Sequence, residues 1–247
     1  MVSKAKIKYV KSLQVKKYRK QEQSFVVEGA KSVQELLRSS FEVIWVASTE
    51  SFLQSHAKQL SAKKIEFVEV SANDLSLLGS FQTNDAAIAV ARMKENVLPE
   101  WKDEFGLVLD DVRDPGNLGT IIRTADWYGI KNIVASEETA DFYSPKTISA
   151  TMGSFCRVTI FYTNLNEYLI QNKLPVYGAF MNGSDIHQTD FGNSGLLVIG
   201  NESNGISEKV SQFVQQRITI PRIGGAESLN AGVATGIILD TILSLRK

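Results

Sequence analysis

Three polar segments that contain glycine carry the residue types able to do chemistry in this chain. Each follows an apolar run, and they are DVRDPGNLGTIIR (111–123), GNESNGIS (200–207) and PRIGGAESLNAG (221–232). Glycine allows positive φ and lets a backbone approach a ligand closely, while asparagine, serine and backbone amides supply hydrogen bonds. One such segment alone predicts only a turn, because strand-to-helix turns use the same residues as caps. Three of them after strands of one sheet favour a shared pocket.

Several common site signatures are missing from the sequence. No GxGxxG opens a helix after a strand and no GxxxxGK[ST] occurs, so neither dinucleotide nor P-loop phosphate binding is indicated. No cluster of histidine and cysteine predicts a metal site. His56 and His187 are expected to be bystanders, and Ser228 has neither a GxSxG elbow nor a histidine nearby in sequence. A hydrolase triad is therefore not expected.

The composition is typical of a soluble globular protein. The 247 residues, 43% hydrophobic and 22% charged, suit one large domain or two small ones. Cys156 is the single cysteine, which excludes a disulfide framework, fits a reducing compartment and favours a core position. No N-terminal segment resembles a signal peptide, and the apolar segment near 231–245 is short for a membrane span. We expect a cytoplasmic protein with no membrane association.

The basic residues are concentrated at the N-terminus. Net charge is zero overall, but residues 1–20 contain eight basic residues and no acid, which leaves −8 on the rest of the chain. Interleaved with Tyr9 and Tyr18, they form an electrostatic footprint for a phosphate backbone; a solvated helix face is the alternative. The candidate RNA-binding residues are Lys4, Lys6, Lys8, Lys11, Lys16, Lys17, Arg19 and Lys20.

Two α/β halves are expected to position these residues. Residues 1–95 form a first α/β domain, and a polar stretch with Pro99 predicts a linker at 96–104. Residues 105–247 contain longer apolar strands between helices, which predict a parallel sheet covered on both faces, with ligands beyond the carboxyl ends of the strands. The strands are predicted at 24–29, 41–48, 65–70, 86–93, 105–111, 131–136, 157–162, 175–180, 195–200 and 216–221.

The three segments, in this order, resemble the signature motifs of the SpoU (TrmH-type) branch of the SPOUT RNA methyltransferases. The matching stretches are DPGNLGTIIRTADWYG (114–129), VIGNESNGIS (198–207) and IPRIGGAESLNAGVATGIIL (220–239). The resemblance extends to DFYSPKTISATMGSFCRV (141–158), and runs from about residue 105 to the C-terminus. The first half resembles the small α/β RNA-binding domain that precedes the catalytic domain in many members.

The resemblance implies S-adenosylmethionine-dependent methylation of a ribose 2′-hydroxyl in RNA, with ribosomal RNA favoured over transfer RNA. It also implies a C-terminal trefoil knot in the parallel-sheet domain and a homodimer with each active site at the subunit interface. Three alternatives stay open. They are 2′-O-methylation of transfer RNA, methylation of a base, and an RNA-binding factor on this scaffold with little turnover.

The family's functional positions map onto the three segments. The implied catalytic residues are Asn117, Arg123, Glu202, Ser228 and Asn230. The implied cofactor-binding residues are Gly200, Asn201, Ile220 and Leu229, with Ala179 and Met181 after the strand at 175–180. Lys146 and Arg157 are candidates for a further cationic site, and no metal is implied.

Each role has a structural alternative. Arg123 would hold a phosphate beside the target ribose, and a guanidinium that stays protonated in proteins favours an electrostatic clamp over a general base; a helix salt bridge to Asp126 or Glu202 is the alternative. Glu202 could instead brace its loop, and Ser228 could cap the last helix. Gly232 and Gly236, one helical turn apart, are expected to pack at a dimer interface.

Overall fold

The computed structural model describes residues 2–80, 84, 86–101 and 104–244. Lys102 and Asp103 of the predicted linker and Leu245 of the predicted last helix lie outside the described residues. The chain divides into two compact units. The first contains Met1–Glu95 and Asp141–Cys156, and the second contains Asn96–Ala140 and Arg157–Lys247. The linker at 96–104 stays a prediction.

Strands and helices alternate along most of the described chain. The strands are β1 Ser24–Glu28, β2 Val43–Ser48, β3 Glu66–Glu69, β4 Ala87–Arg92, β5 Phe105–Leu109, β6 Asn132–Ala135, β7 Thr159–Tyr162, β8 Val176–Asp185, β9 Gly195–Ile199 and β10 Gln216–Thr219. The helices are α1 Lys4–Ser12, α2 Lys16–Glu22, α3 Ala30–Arg38, α4 Glu50–Ala62, α5 Ala72–Leu78, α6 Pro115–Trp127, α7 Pro145–Ala150, α8 Leu165–Gln171, α9 Glu208–Ser211 and α10 Ala231–Ser244.

The first unit is built on a four-stranded mixed sheet of order β1-β4-β2-β3. Strand β4 runs antiparallel to β1 and β2, and β2 runs parallel to β3. Every residue of β1 is buried, which fits a strand with helices packed against it. Trp45, Ile88 and Val90 form the centre of the core, together with Leu75 of α5.

The segment 141–156 packs in the first unit, although it lies between two strands of the second sheet in sequence. Tyr143 and Phe155 both contact Phe25 of β1, with ring centroids 4.7 and 6.0 Å apart. Burial raises the pKa of Tyr143 to about 12. Cys156, which composition placed in the core, is half-buried at the end of this segment. Aromatic packing therefore fixes a piece of the second half onto the first unit's sheet.

The second unit is built on a six-stranded sheet of order β10-β8-β9-β5-β6-β7, in which every described pairing is parallel. This confirms the predicted parallel sheet. The central strands β5 and β9 are buried throughout, because helices cover both faces of such a sheet. The carboxyl ends of parallel strands lie at one edge, so the segments after β5, β9 and β10 gather there. The trefoil knot stays a prediction.

Strand β8 is longer and less regular than predicted. Its pairing with β10 jumps from Gly178 opposite Arg217 to Ser184 opposite Ile218. Five residues, 179–183, therefore bulge between the two paired parts. Gly183 allows the bulge to close, because a Cβ there would lie 2.7 Å from the carbonyl carbon of Arg217. The predicted strand 175–180 stops where this bulge begins.

No helix in the described part of the chain is long and apolar enough to cross a membrane.

Candidate active site

Helix α6 begins at the first of the three polar segments. The Asp114 carboxylate accepts a hydrogen bond from Asn117 N at 2.8 Å, and Pro115 occupies the first helical position, where its missing N–H costs no hydrogen bond. Just before the helix, Asp111 has a φ of 62° and its N–H donates to Ser136 Oγ at 3.0 Å. The predicted turn is therefore present, and it fixes the position of Asn117.

A chain of side-chain hydrogen bonds joins the three segments. Asn117 Nδ2 donates to Glu202 Oε1 at 2.6 Å, and Asn117 Oδ1 accepts from Asn230 Nδ2 at 2.8 Å. The Asn117 amide therefore uses its donor towards the second segment and its acceptor towards the third. These contacts bring together three of the five predicted catalytic residues.

Asn230 also caps the last helix. Its Oδ1 accepts from the N–H groups of Gly232 and Val233, at 2.9 and 3.3 Å, which satisfies backbone donors in the first turn of α10. The interpretation of Ser228 as this cap is therefore wrong. Ser228 is exposed two residues earlier, in a loop that lines a cavity.

The second segment is held in shape by its own polar groups. Asn201 Nδ2 donates to Asp111 O at 2.8 Å, and Asn201 Oδ1 accepts from Ser203 N at 2.9 Å. A Cβ on Gly200 would overlap the backbone of Gly205, so only glycine fits this tight loop. Buried Asp110 accepts from Ser207 N at 2.7 Å. The loop after β9 is thus braced against the loop after β5.

A cavity of about 990 Å³ lies beside these loops. Its walls come from the bulge of β8, from the segments after β9 and β10, and from α10. They include all six predicted cofactor-binding residues and two of the predicted catalytic ones: Ala179, Met181, Gly200, Asn201, Ile220, Leu229, Glu202 and Ser228. Neither His56 nor His187 lines it, as expected of bystanders.

Arg123 does not join the hydrogen-bonded residues or the cavity lining. It is exposed and does not line the cavity, and its side chain forms no ion pair or hydrogen bond within the described chain. It lies six residues after Asn117, which places it about 9 Å along the helix on a different face. Asp126 instead pairs with Arg157 at 2.8 Å, and Glu202 bonds to Asn117. The alternative of a salt bridge from Arg123 to Asp126 or Glu202 is therefore wrong.

The two further cationic candidates do not join the site. Arg157 is held by Asp126 through both Nε and Nη2, and does not line the cavity. Lys146 is exposed and belongs to the first unit. Among the described residues, no group of histidine, cysteine, aspartate and glutamate could hold a metal ion.

Helices α6 and α10 pack closely because of Gly232. A Cβ on Gly232 would lie 2.7 Å from Thr120 Cγ2 of α6, whereas one on Gly236 would be 3.8 Å from Thr124 Cγ2. Gly232 therefore serves packing within the chain, and the expected role of Gly232 and Gly236 at a dimer interface stays a prediction. Tyr128 adds a contact by donating to Asp240 Oδ1 at 3.0 Å, and burial, then this hydrogen bond, raises the pKa of Tyr128.

Most of the basic residues that were predicted to form an N-terminal RNA-binding surface are exposed. Arg19 is the exception, since it is only 3% exposed and its guanidinium donates to Leu13 O and to Asp141 Oδ2 at 2.8 and 2.6 Å. Lys6 is half-buried, near Glu66 and the Trp45 ring. The exposed members are Lys4, Lys8, Lys11, Lys16, Lys17 and Lys20.

Sequence reasoning assigned no role to several residues of the cavity, among them Phe180 and Arg217. Both line it, and the Arg217 guanidinium lies 4.5 Å from the Phe180 ring centroid. Phe180 falls in the bulge of β8 and Arg217 in the strand that the bulge contacts. The only sequence feature that could have indicated this contact was the glycine-flanked run GAFMNG (178–183), and it does not reveal that its partner is Arg217 in β10.

The three connected loops and the parallel sheet agree with comparisons to known proteins. Residues 104–240, more than half of the chain, match the SpoU rRNA Methylase family, and residues 4–89 match the MRM3-like substrate binding domain. The chain belongs to the SpoU rRNA methylase family. This confirms the family that the three motifs indicated.

Individual SpoU relatives match along nearly the whole chain. The 23S rRNA (guanosine(2553)-2′-O)-methyltransferase RlmP of Bacillus subtilis is 32% identical over 239 residues, which cover 95% of this chain and 94% of that protein. A TrmH-family protein from Porphyromonas gingivalis has a solved structure with a TM-score of 0.88, 34% identity and 99% coverage of both chains. The AdoMet-bound rRNA methyltransferase of Sinorhizobium meliloti has a TM-score of 0.87 and 29% identity, covering 98% of this chain and 96% of that one.

Proposed function

We propose that this chain transfers a methyl group from S-adenosylmethionine to a ribose 2′-hydroxyl of ribosomal RNA. The observation that carries the proposal is the hydrogen-bonded chain Glu202–Asn117–Asn230 beside a cavity lined by the predicted cofactor residues. The Bacillus relative is named for 2′-O-methylation of 23S rRNA, and the Sinorhizobium structure contains the cofactor. Both support the reaction and the ribosomal substrate class.

The cavity fits S-adenosylmethionine in size and chemistry. Its volume of about 990 Å³ lies within the roughly 300–1,000 Å³ typical of small-molecule sites. Glycine at 200 brings backbone close to the cavity, and Ile220 and Leu229 supply apolar walls. When bound, the cofactor supplies an electrophilic methyl group on a sulfonium. Gly200, Asn201, Ile220 and Leu229 would hold it, with Ala179 and Met181.

The polar side chains would orient the ribose and stabilise the negative charge that develops on its 2′-oxygen. Asn117 is fixed by hydrogen bonds on both sides, so it is already oriented before RNA binds. The exposed Arg123 guanidinium suits a phosphate beside the target ribose. It would also stabilise the alkoxide that develops as the hydroxyl proton leaves to phosphate or water. A guanidinium stays protonated in proteins, which suits this clamping role.

We also propose that the chain works as a homodimer. Arg123 lies outside the cavity of its own chain, and a second copy would allow it to complete the partner's site. Exposed apolar side chains on α6 and α10 support this, since Trp127 is 85% exposed and Val233 50% exposed. Helix α10 is apolar on nearly all sides, which is typical of a covered helix. A solution mass of twice 27.3 kDa is expected, and an active species of one chain would contradict it.

Replacement of Arg123 tests the proposed reaction. Arg123→Ala should abolish methyl transfer to RNA while S-adenosylmethionine still binds, because the side chain does not line the cavity of its own chain. Transfer of labelled methyl and calorimetric cofactor binding measure the two effects separately. Arg38→Ala, another exposed arginine on a helix, is the matched control. Near-normal turnover of Arg123→Ala would rule out its assignment.

A further inference from the structure

An arginine stacked on an aromatic ring forms part of the cavity wall. The guanidinium carbon of Arg217 lies 4.5 Å from the Phe180 ring centroid, and both residues line the cavity. Such a cation–π contact is attractive and restricts the long arginine side chain. A cation is therefore held in a defined place on the wall of a ligand-sized cavity.

The irregular pairing of β8 with β10 builds this contact. Phe180 lies in the bulge 179–183 and folds back over Gly178, where a Cβ would be only 2.7 Å from Phe180 Cε2. The same Cβ would also lie 3.0 Å from the Val214 side chain, so the space above Gly178 is already filled. Because Gly183 has no side chain, the C-terminal end of the bulge can pack directly against the Arg217 backbone. The ring is thus fixed by packing before any ligand binds.

The hydrogen-bonding edge of Arg217 is available to a ligand. Within the described chain the Arg217 guanidinium forms no ion pair or hydrogen bond, and its cation–π contact is with the Phe180 ring. Two neighbouring charged side chains on the wall are engaged differently, since Glu202 accepts from Asn117 and Arg222 donates to Ala226 O, and the remaining charged lining residue, Glu227, is an acid. The N–H groups of the Arg217 guanidinium form a planar fork that matches the two oxygens of a carboxylate.

We propose that Arg217 binds the α-carboxylate of the amino-acid arm of S-adenosylmethionine. This assignment rests on the proposed function. The carboxylate is the one anionic group of that ligand, whereas its sulfonium and ammonium groups would be repelled by a guanidinium. Phe180 acts as a positioning residue that holds the fork in place, which reduces the entropy lost on binding. The pair selects cofactors that carry the carboxylate over ligands that share only the adenosine.

The test compares two ligands that differ only in this group. Calorimetry measures the binding of S-adenosylmethionine and of decarboxylated S-adenosylmethionine to the full chain. Arg217→Gln should weaken S-adenosylmethionine binding by about tenfold to a hundredfold, the range for a lost charged hydrogen bond. It should leave the decarboxylated ligand unchanged or bound more tightly, because a repulsive cation has gone. Arg217→Lys, which keeps the charge without the fork, should fall between, and Arg38→Gln should match the wild type.

Each other outcome overturns the assignment and has a distinct reading. An equal loss for both ligands would mean that Arg217 only maintains the shape of the cavity. Unchanged binding of both, with a raised KM for RNA, would make Arg217 an RNA contact. A wild-type chain that binds neither ligand would refute the cofactor of the proposed function as well. A wild type that binds both ligands, with an Arg217→Gln variant of unaltered preference, would refute this inference alone.

Discussion

At the residue scale, Asn117 connects the three loops. The sequence allowed Asn117, Glu202 and Asn230 to be selected, because their motifs resemble a known family. It did not reveal that Asn117 lies between the other two, since those contacts span 85 and 113 residues. It also left Ser228 open between a catalytic role and capping of α10, and the geometry assigns that cap to Asn230.

Two alanine substitutions should separate orientation from capping. Asn117→Ala removes both connecting hydrogen bonds, and methyl transfer should fall by roughly tenfold to a hundredfold. Its stability should change little, because the groups it leaves are exposed to water. Asn230→Ala should lower activity and also cost about 0.5–2 kcal/mol of unfolding free energy, because it removes a helix cap. Initial rates and urea unfolding measure the two effects. Equal stability of the two variants would contradict this division.

At the scale of elements, the sequence predicted the parallel sheet but not its irregularities. Continuous apolar runs at β5 and β9 indicate strands covered on both faces, and both are buried throughout. The jump in pairing between β8 and β10 depends on contact of Gly183 with Arg217, which lies far along the chain. Periodicity within one segment carries no information on such a partner.

The two glycines of α10 provide a matched pair of substitutions. Gly232→Ala should destabilise the chain by about 1–3 kcal/mol, because the new Cβ would press on Thr120. Gly236→Ala has room beside Thr124 and should be neutral or stabilising by up to about 1 kcal/mol, through higher helix propensity. Thermal or urea unfolding measures both. Adding Thr120→Ser to Gly232→Ala should recover part of the loss, and no recovery would contradict a clash at this site.

At the scale of the whole molecule, charge distribution was readable from composition, while the pairing of single charges was not. Eight basic residues at the N-terminus predicted an RNA-binding surface, and six of them are exposed. Arg19 was indistinguishable from its neighbours in sequence because its partner, Asp141, lies 122 residues away. The same long separation explains why the docking of 141–156 onto the first unit was not foreseen.

Neutralising exposed and buried charges of α2 should have different effects. Replacing Lys16, Lys17 and Lys20 with glutamine should weaken RNA binding and reduce its salt slope, by about 0.7 per lost phosphate contact. The fold should be unaffected because these side chains are exposed. Arg19→Gln should instead cost roughly 3–5 kcal/mol of stability, since it breaks a buried ion pair. A salt slope unchanged by the triple substitution would remove α2 from RNA binding.

The most direct test of the account is the fate of a labelled methyl group. The wild-type chain is incubated with labelled S-adenosylmethionine and unmodified ribosomal or transfer RNA, and the RNA is digested to nucleosides. The account predicts label in a 2′-O-methylated nucleoside from ribosomal RNA. Label on a base would contradict the proposed chemistry, and label confined to transfer RNA would contradict the proposed substrate. Cofactor binding with no label in either RNA would contradict the proposed reaction itself.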